Sequence, residues 1–200
     1  MGLFFILRPA NLLAIMNRMR KKIIVLLAVL FLVGIGYRSK QLYQDRQPRA
    51  VQVQQVGFKY PHDYQEQELR KPEGHAEQLI NLKLDTPLST IELSKETGAA
   101  KPANLVHMNF IDYLDRTSEQ SLRYRYPKYS KISSERIKAS GRDGILIKFT
   151  YVGQDEKTTL HVSFFILPRD NDAYYLFLQS VDEQRWQHDT ETIQTSLELS

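Results

Sequence analysis

The sequence predicts an α+β protein: an N-terminal transmembrane helix, then a mostly antiparallel sheet with helices packed on it. Three observations carry this reading. Ile23 to Tyr37 read IIVLLAVLFLVGIGY, fifteen residues without a charge. In the last third of the chain, apolar residues recur at every second position, the period of a half-buried strand. Two stretches, Asn104–Leu114 and Asp182–Leu197, instead space their apolar residues as one stripe of a helix.

The uncharged run follows Arg18-Met19-Arg20-Lys21-Lys22. Fifteen helical residues rise roughly 22 Å, against a bilayer core of about 30 Å. Lys21 and Lys22 at one end and Arg38 and Lys40 at the other can snorkel, and Tyr37 suits the interface. A cleaved signal peptide is the alternative, since the basic start and the core length also fit one. Gly34 and Gly36 have the spacing of a cleavage site, but no Ala-x-Ala stands there. With no cysteine, a lipid-modified start is excluded. The reading taken is an uncleaved anchor.

The block beside the span favours a cytoplasmic N-terminus and an outer C-terminal domain at the plasma membrane, although Arg38, Lys40, Arg46 and Arg49 follow the span. Four parts are expected: a basic segment 1–22, the anchor 23–37, a polar linker 38–50 with Pro48, and a domain 51–200. Residues 1–15 are apolar and precede Met16 and Met19. A start at either would leave a compact basic segment, so an overextended start is expected. Met1-Gly2 is not a myristoylation site, because Ile6 stands where Ser or Thr is needed.

The whole chain carries a formal charge of +4. Residues 1–50 hold nine Lys and Arg against one acid, a net +8. Residues 51–200 hold 18 against 22, a net −4. The basicity belongs to the membrane end, so no nucleic-acid partner is expected. The remaining 150 or so residues suffice for one domain without staples.

Each element has its own justification. Gln52–Tyr60 reads as a first strand ending at Pro61, with Gly57 a candidate bulge. Leu79–Leu84 alternates about Ile80, Leu82 and Leu84, and Ser89–Ser94 reads as its partner after Pro87. Gly98–Pro102 breaks the pattern before the helix Asn104–Leu114, whose stripe is Leu105, Met108, Ile111 and Leu114. Tyr124–Ser130 reads as a loop around Pro127, and Ile132–Ala139 as a short strand. Ile145, Ile147, Phe149 and Tyr151 then share one face, opposite Lys148 and Thr150. Leu160, Val162, Phe164 and Ile166 alternate with His161 and Ser163, and Tyr174, Leu176 and Leu178 lead a third strand. Turns at Gly153–Glu156 and Arg169–Asp172 make this a meander. The closing helix has Asp182 as N-cap and faces the sheet with Trp186, Thr190, Ile193 and Leu197.

Three segments resemble the Mog1/PsbP-like family of α/β/α sandwiches, over residues 51–199. They are the opening Gly57-Phe58-Lys59-Tyr60-Pro61-His62-Asp63-Tyr64, the glycine turn Ser140-Gly141-Arg142-Asp143-Gly144-Ile145, and the end. The end pairs the aromatic strand Tyr174-Tyr175-Leu176-Phe177-Leu178 with the helix Thr192-Ile193-Gln194-Thr195-Ser196-Leu197. The resemblance implies the fold alone: such domains serve as photosystem accessory subunits, nuclear-transport factors and exported bacterial proteins, so no function and no catalytic residue passes through it.

No catalytic, cofactor-binding or metal-ligating residue is assigned. His62, His75, His107, His161 and His188 form no pair at ligand spacing. His161 is the one that could line a cleft near Lys148. Asp170-Asn171-Asp172 lacks the glycine and distal Glu of a calcium loop. Asp112 with Asp115, and Glu66 with Glu68, read as solvated pairs. The candidate contact patch is Arg123, Tyr124, Arg125, Tyr126, Lys128 and Lys131, where cations and rings alternate. The function expected is a membrane-anchored, non-enzymatic binding module of the cell envelope with a protein or polymer partner. The alternative is a small-ligand-binding protein or weak hydrolase.

Overall fold

A computed structural model describes residues 47–72 and 74–200. The segment 1–22 and the expected span Ile23–Tyr37 lie outside the described residues. Among the described residues, no helix is long and apolar enough to cross a membrane.

The described chain begins with a hairpin, not with one strand. Strand β1 (Arg49–Val53) pairs antiparallel with β2 (Val56–Tyr60) across a two-residue loop. Gln54 takes the positive φ of 51° that the reversal needs. Glutamine is a poor residue for such a turn, so no turn signal stood in the sequence. Gly57 is no bulge: it pairs in register with Gln52, whose side chain lies where a Cβ would sit.

β3 (Gln65–Glu66), β4 (Ala76–Asp85) and β5 (Leu88–Glu96) follow, the last two as the expected partners but longer. Helix α1 (Lys101–Leu105) begins inside the expected breaker, with Pro102 in its first turn, where its missing N–H costs nothing. Helix α2 spans Phe110–Arg125, later and longer than the expected Asn104–Leu114. The later start of α2 has a local cause. His107 has a φ of 52°, and the Asn109 side chain accepts from Ile111 N, capping a new helix. Leu105 belongs to α1 and is 82 % exposed, so it is no part of the buried stripe. The stripe is Leu114, Ser118 and Leu122, and the small polar Ser118 hides its period.

β6 (Ser130–Ala139), β7 (Arg142–Val152), β8 (Thr159–Arg169) and β9 (Asp172–Ser180) are successive antiparallel hairpin partners. Helix α3 (Glu183–Ser196) and β10 (Glu198–Leu199) close the chain. Asp182 caps α3 as expected, its carboxylate accepting from Arg185 N at 2.7 Å.

The seven-stranded sheet has the order β3-β4-β5-β9-β8-β7-β6, and a small sheet has the order β1-β2-β10. Alternation along the strands serves two cores. Leu146, Phe165, Leu167, Leu176 and Leu178 meet Trp186 and Ile193 of α3 and Phe58 of β2. Ile145, Ile147, Phe149, Val162 and Ile166 meet Leu114 and Leu122 of α2. The sheet therefore carries a helix on each face. Each fully buried Leu, Ile or Phe contributes about 1.5–3 kcal/mol.

Register also defines the two ends of the sheet. Thr150 pairs with both Ser130 and His161, His161 with Ser180, and Ser180 with Ser89. Asp182 N donates to Ser180 Oγ at 3.1 Å, so α3 starts at this same end. Asp63 binds Arg185 in its first turn, and Tyr60, beside Tyr64, pairs with Arg49. The β4–β5 turn, the β7–β8 turn and the C-terminus of α2 thus share one end, whereas Lys59 N, beside Tyr60, donates to Ser196 Oγ at the far end of α3 at 2.8 Å. The opposite end holds the β1–β2, β6–β7 and β8–β9 turns. There Tyr174 Oη donates to Gln54 Oε1 at 3.2 Å, and Leu199 N to Ser140 Oγ at 3.4 Å.

Candidate functional site

The expected patch sits where α2 runs out. Its first part, Tyr124 and Arg125, is the last helical turn and not a loop. Tyr126 caps the helix, its N–H donating to Leu122 O at 2.9 Å. The chain then reverses at Lys128, with a φ of 50°, and enters β6 at Ser130. Pro127 O accepts from Val152 N at 3.1 Å, which ties this corner to the end of β7.

The structure divides the six residues by role. Arg123 and Lys131 converge on Glu119: Arg123 Nη2 to Oε1 at 2.8 Å and Lys131 Nζ to Oε2 at 2.7 Å. These two bonds hold the Glu119 carboxyl below the usual range. The Arg123 guanidinium also lies 5.6 Å from the Tyr129 ring centre, a cation–π distance. Tyr126 packs inward at 4.8 Å from Tyr151, 5.3 Å from Phe149 and 6.0 Å from Phe177. Burial raises its phenol pKa. Tyr126 and Tyr129 are half-buried, so of the three local tyrosines only Tyr124 is free, at 96 % exposure. Arg125 and Lys128 are exposed and make no ion pair among the described residues. Residues 123–129 line an open hollow of about 290 Å³. Ile132 lies just beyond, 53 % exposed, at a bulge between Lys131 and Ser133. The β7–β8 turn alongside adds Asp155, Glu156 and Lys157.

A second hollow, about 250 Å³, lies beside α3 and is lined by Lys148, Trp186, Gln187, Thr190, Glu191 and Gln194. Trp186 Nε1 donates to Ser163 Oγ at 2.8 Å, and Ser163 and Thr190 share a hydrogen bond of 2.8 Å. His161 packs on Trp186 with ring centres 5.4 Å apart, and its buried Nδ1 has no partner. Lys148 stays near this face, 3.5 Å from Glu135. His161 itself does not line the hollow.

Sequence reasoning missed a buried charge cluster at the start of α3. Arg185 binds Asp63 through both terminal nitrogens at 2.7 Å and Asp189 Oδ2 through Nε at 2.7 Å. Tyr64 Oη donates to the same Oδ2 at 2.6 Å. The Tyr64 ring lies 5.2 Å from the guanidinium carbon. Burial pushes the Asp189 carboxyl up, against the hydrogen bonds from Arg185 and Tyr64. Burial and the Asp189 charge push the Tyr64 phenol far up. The hydrogen bond from Arg185 pulls Asp63 down. The i,i+4 spacing of Arg185 and Asp189 is the one local signal that could have pointed to it. Among the described residues, no group of three His, Asp or Glu is placed to hold a metal. Asp112 and Asp115 both face Arg136, at 2.8 and 3.4 Å.

No family model matches the chain, and no curated protein matches it. Several solved structures do. CyanoP, the cyanobacterial PsbP of Synechocystis sp. PCC 6803, is 12 % identical. The match covers 77 % of this chain and 92 % of that one, with a TM-score of 0.47. LpqN, involved in cell envelope biogenesis of Mycobacterium tuberculosis, is 14 % identical over 77 % of this chain and 91 % of that one, with a TM-score of 0.45. PA94, a Pseudomonas aeruginosa protein of unknown function, is 12 % identical over 72 % and 90 %, with a TM-score of 0.43. A PsbP is thus among the structures this chain is similar to. The likeness is one of fold, and no residue role passes through it.

Proposed function

We propose that the chain is a membrane-anchored, extracytoplasmic binding module of the cell envelope. Its contact surface is the rim at the end of α2, and catalysis is no part of the role. The observation that carries this is the exposure of Tyr124, Arg125 and Lys128 together on a domain of net negative charge. Free cations beside a free ring suit an anionic partner: a headgroup, an envelope polymer or an acidic protein face. The anchor rests on the uncharged run Ile23–Tyr37 behind its basic block.

Two measurements test the two halves. Carbonate extraction should leave the chain in the membrane pellet, and protease added to intact cells should digest the domain. Release by carbonate, or a mature N-terminus after Gly36, would overturn the anchor. Capture from detergent-solubilised membranes should retain a partner that is lost when Arg125 and Lys128 are reversed to Glu. Equal retention would overturn the rim.

The hollow beside α3 supports a second reading, that of a small-ligand-binding protein. Lys148, Gln187 and Gln194 offer polar groups around it, and the unpartnered His161 Nδ1 lies close by. Trp186 is the only tryptophan of the chain and lines this hollow. A ligand seated there must change its fluorescence. A saturable change on adding an envelope metabolite extract would put this reading first.

A further inference from the structure

We infer that the outer edge of β6 is a docking site for an extended acidic segment of a partner protein, which joins the main sheet as a further strand. The inference deepens the rim reading by naming the kind of partner, and rests on that reading in taking the partner to be anionic.

The two edges of the seven-stranded sheet differ. One is closed. β3 is only two residues long, and the chain after it lies along β4: Gln67 N donates to Asn81 O at 2.8 Å, and Asn81 Nδ2 to Glu68 O at 3.0 Å. The other edge is β6, ten residues long and mostly exposed. Among the described residues, no strand or loop pairs with its outer side. The bulge at Ile132 leaves Ser133–Ala139 as the regular stretch. Ser140 and Gly141 have φ of 49° and 82°, so the β6–β7 connection is a two-residue hairpin turn that bonds Ala139 to Arg142. Antiparallel pairs alternate between bonded and non-bonded. Lys138, Arg136 and Ser134 are therefore the residues whose N–H and C=O turn outward. A free row of this kind is a template for strand addition.

The charges on this edge select its occupant. Arg136 reaches α2 through Nη2, 2.8 Å from Asp112 and 3.4 Å from Asp115, and Lys138 Nζ lies 2.6 Å from Asp143. Those acids stand behind the edge, on α2 and β7, so an added strand meets the cations first. Among the described residues, Arg136 Nε and Nη1 bond to no partner, which leaves them for an incoming carboxylate. Lys128, just before β6, carries the same cationic margin into the rim. Acidic side chains at alternate positions, opposite Lys138 and Arg136, fit this edge. The acids set behind it weaken the attraction. The backbone bonds therefore hold the strand, and the charges choose it.

A second copy of this chain is a poor occupant. Two β6 strands pairing antiparallel about a two-fold axis keep their α2 faces on one side, so each residue meets one of its own face. Pairing centred on Arg136 sets Arg136 against itself. Pairing centred on Ile137 sets Arg136 against Lys138, and pairing centred on Glu135 sets Glu135 against itself. Like charges directly opposite destabilise a strand pair. A foreign acidic segment meets none of these clashes.

The test uses the full chain in detergent micelles. The probe is a fluorescein-labelled peptide as long as β6 that alternates Glu with Val. One control peptide replaces every Glu by Lys, and another methylates the backbone nitrogen of the central Glu. Anisotropy should show saturable binding of the Glu peptide, about tenfold weaker for either control. Hydrogen exchange read by NMR should show the Ser134, Arg136 and Lys138 amides protected by the peptide. Ser134→Pro removes an outward N–H, a change that an edge strand tolerates, and should abolish binding with circular dichroism unchanged. Arg136→Glu leaves the backbone donors intact and should turn the preference toward the Lys peptide, which keeps the inference testable if Ser134→Pro does not fold. No anisotropy change up to about 1 mM peptide overturns the inference, as does equal binding of all three peptides. Binding that R125E/K128E removes while the β6 amides stay unprotected overturns the edge but leaves the rim. Protection at full affinity in R125E/K128E keeps the edge and removes the rim. A dimer that sedimentation detects and Ser134→Pro dissolves makes the edge a self-contact and overturns the inference. Binding of phosphatidylglycerol vesicles in place of the peptide makes the surface a lipid contact and also overturns it.

Discussion

Tyr64 donates its hydroxyl hydrogen to Asp189 over 2.6 Å, joining the segment after β2 to the middle of α3. Asp189 is fully buried, and Arg185 binds the same oxygen. The small sheet, the main sheet and α3 are thereby locked through one carboxylate.

Removing the donor should leave that carboxylate short of one partner. Tyr64→Phe should cost about 1–3 kcal/mol. For a domain of this size each kcal/mol is about 2–4 °C in Tm. A double-mutant cycle with Asp189→Ala should return a coupling of about 0.5–3 kcal/mol. Strict additivity would show that the bond contributes nothing.

The Asp63–Arg185 pair sets a pH dependence. The folded pKa of Asp63 lies below its usual value of 3.8. Its contribution is therefore present above that value and lost as pH falls through the folded pKa. The Tm difference between the parent and Asp63→Asn should stay constant above about pH 5 and shrink below about pH 4. A difference that grows with acid would mean that the Asp63 carboxyl is not held down in the folded state.

Trp186 reports on the core beside α3. It is 5 % exposed and bonded to Ser163. Its emission should be blue-shifted and resistant to acrylamide until the domain unfolds. Trp186→Phe should cost about 1–3 kcal/mol, because Ser163 Oγ loses a buried donor. An emission maximum at the water-exposed position would place this helix wrongly.

The rim's four cations should separate into two pairs. R125E/K128E touches no ion pair among the described residues and should leave Tm within about 2 °C of the parent. R123E/K131E puts two carboxylates against Glu119 and should lower Tm measurably more. Equal effects from the two double variants would dissolve the division of roles.

Much of the fold was legible because its strands obey a strict period. Ile145, Ile147, Phe149 and Tyr151 face α2, and Lys148 and Thr150 face away, as alternation alone required. Asp182 was legible as a cap because a carboxylate before a helix has one local task. The turn at Gln54 and the break at His107 were not legible, since a positive φ is uncommon for any non-glycine residue, even for histidine, where it is enriched. The surrounding structure imposes that conformation on them. The continuation of α2 beyond Leu114 escaped notice because Ser118 occupies a buried position and accommodates itself by bonding to Leu114 O.

The candidate patch was legible as composition, not as geometry. Arg123, Arg125, Lys128 and Lys131 look alike in a string of letters. The sequence by itself determined the uncharged run, the charge divide at residue 50, the strand faces and the closing helix, because these follow from local chemistry and periodicity. Only the tertiary structure decided which cations are free, because Glu119 meets Arg123 through one turn of helix but Lys131 only across a chain reversal. It alone brought Tyr64 and Asp63 to Arg185 and Asp189, 122 to 125 residues away in sequence. Pairings at that distance depend on how the sheet folds back on itself, and no local preference encodes them.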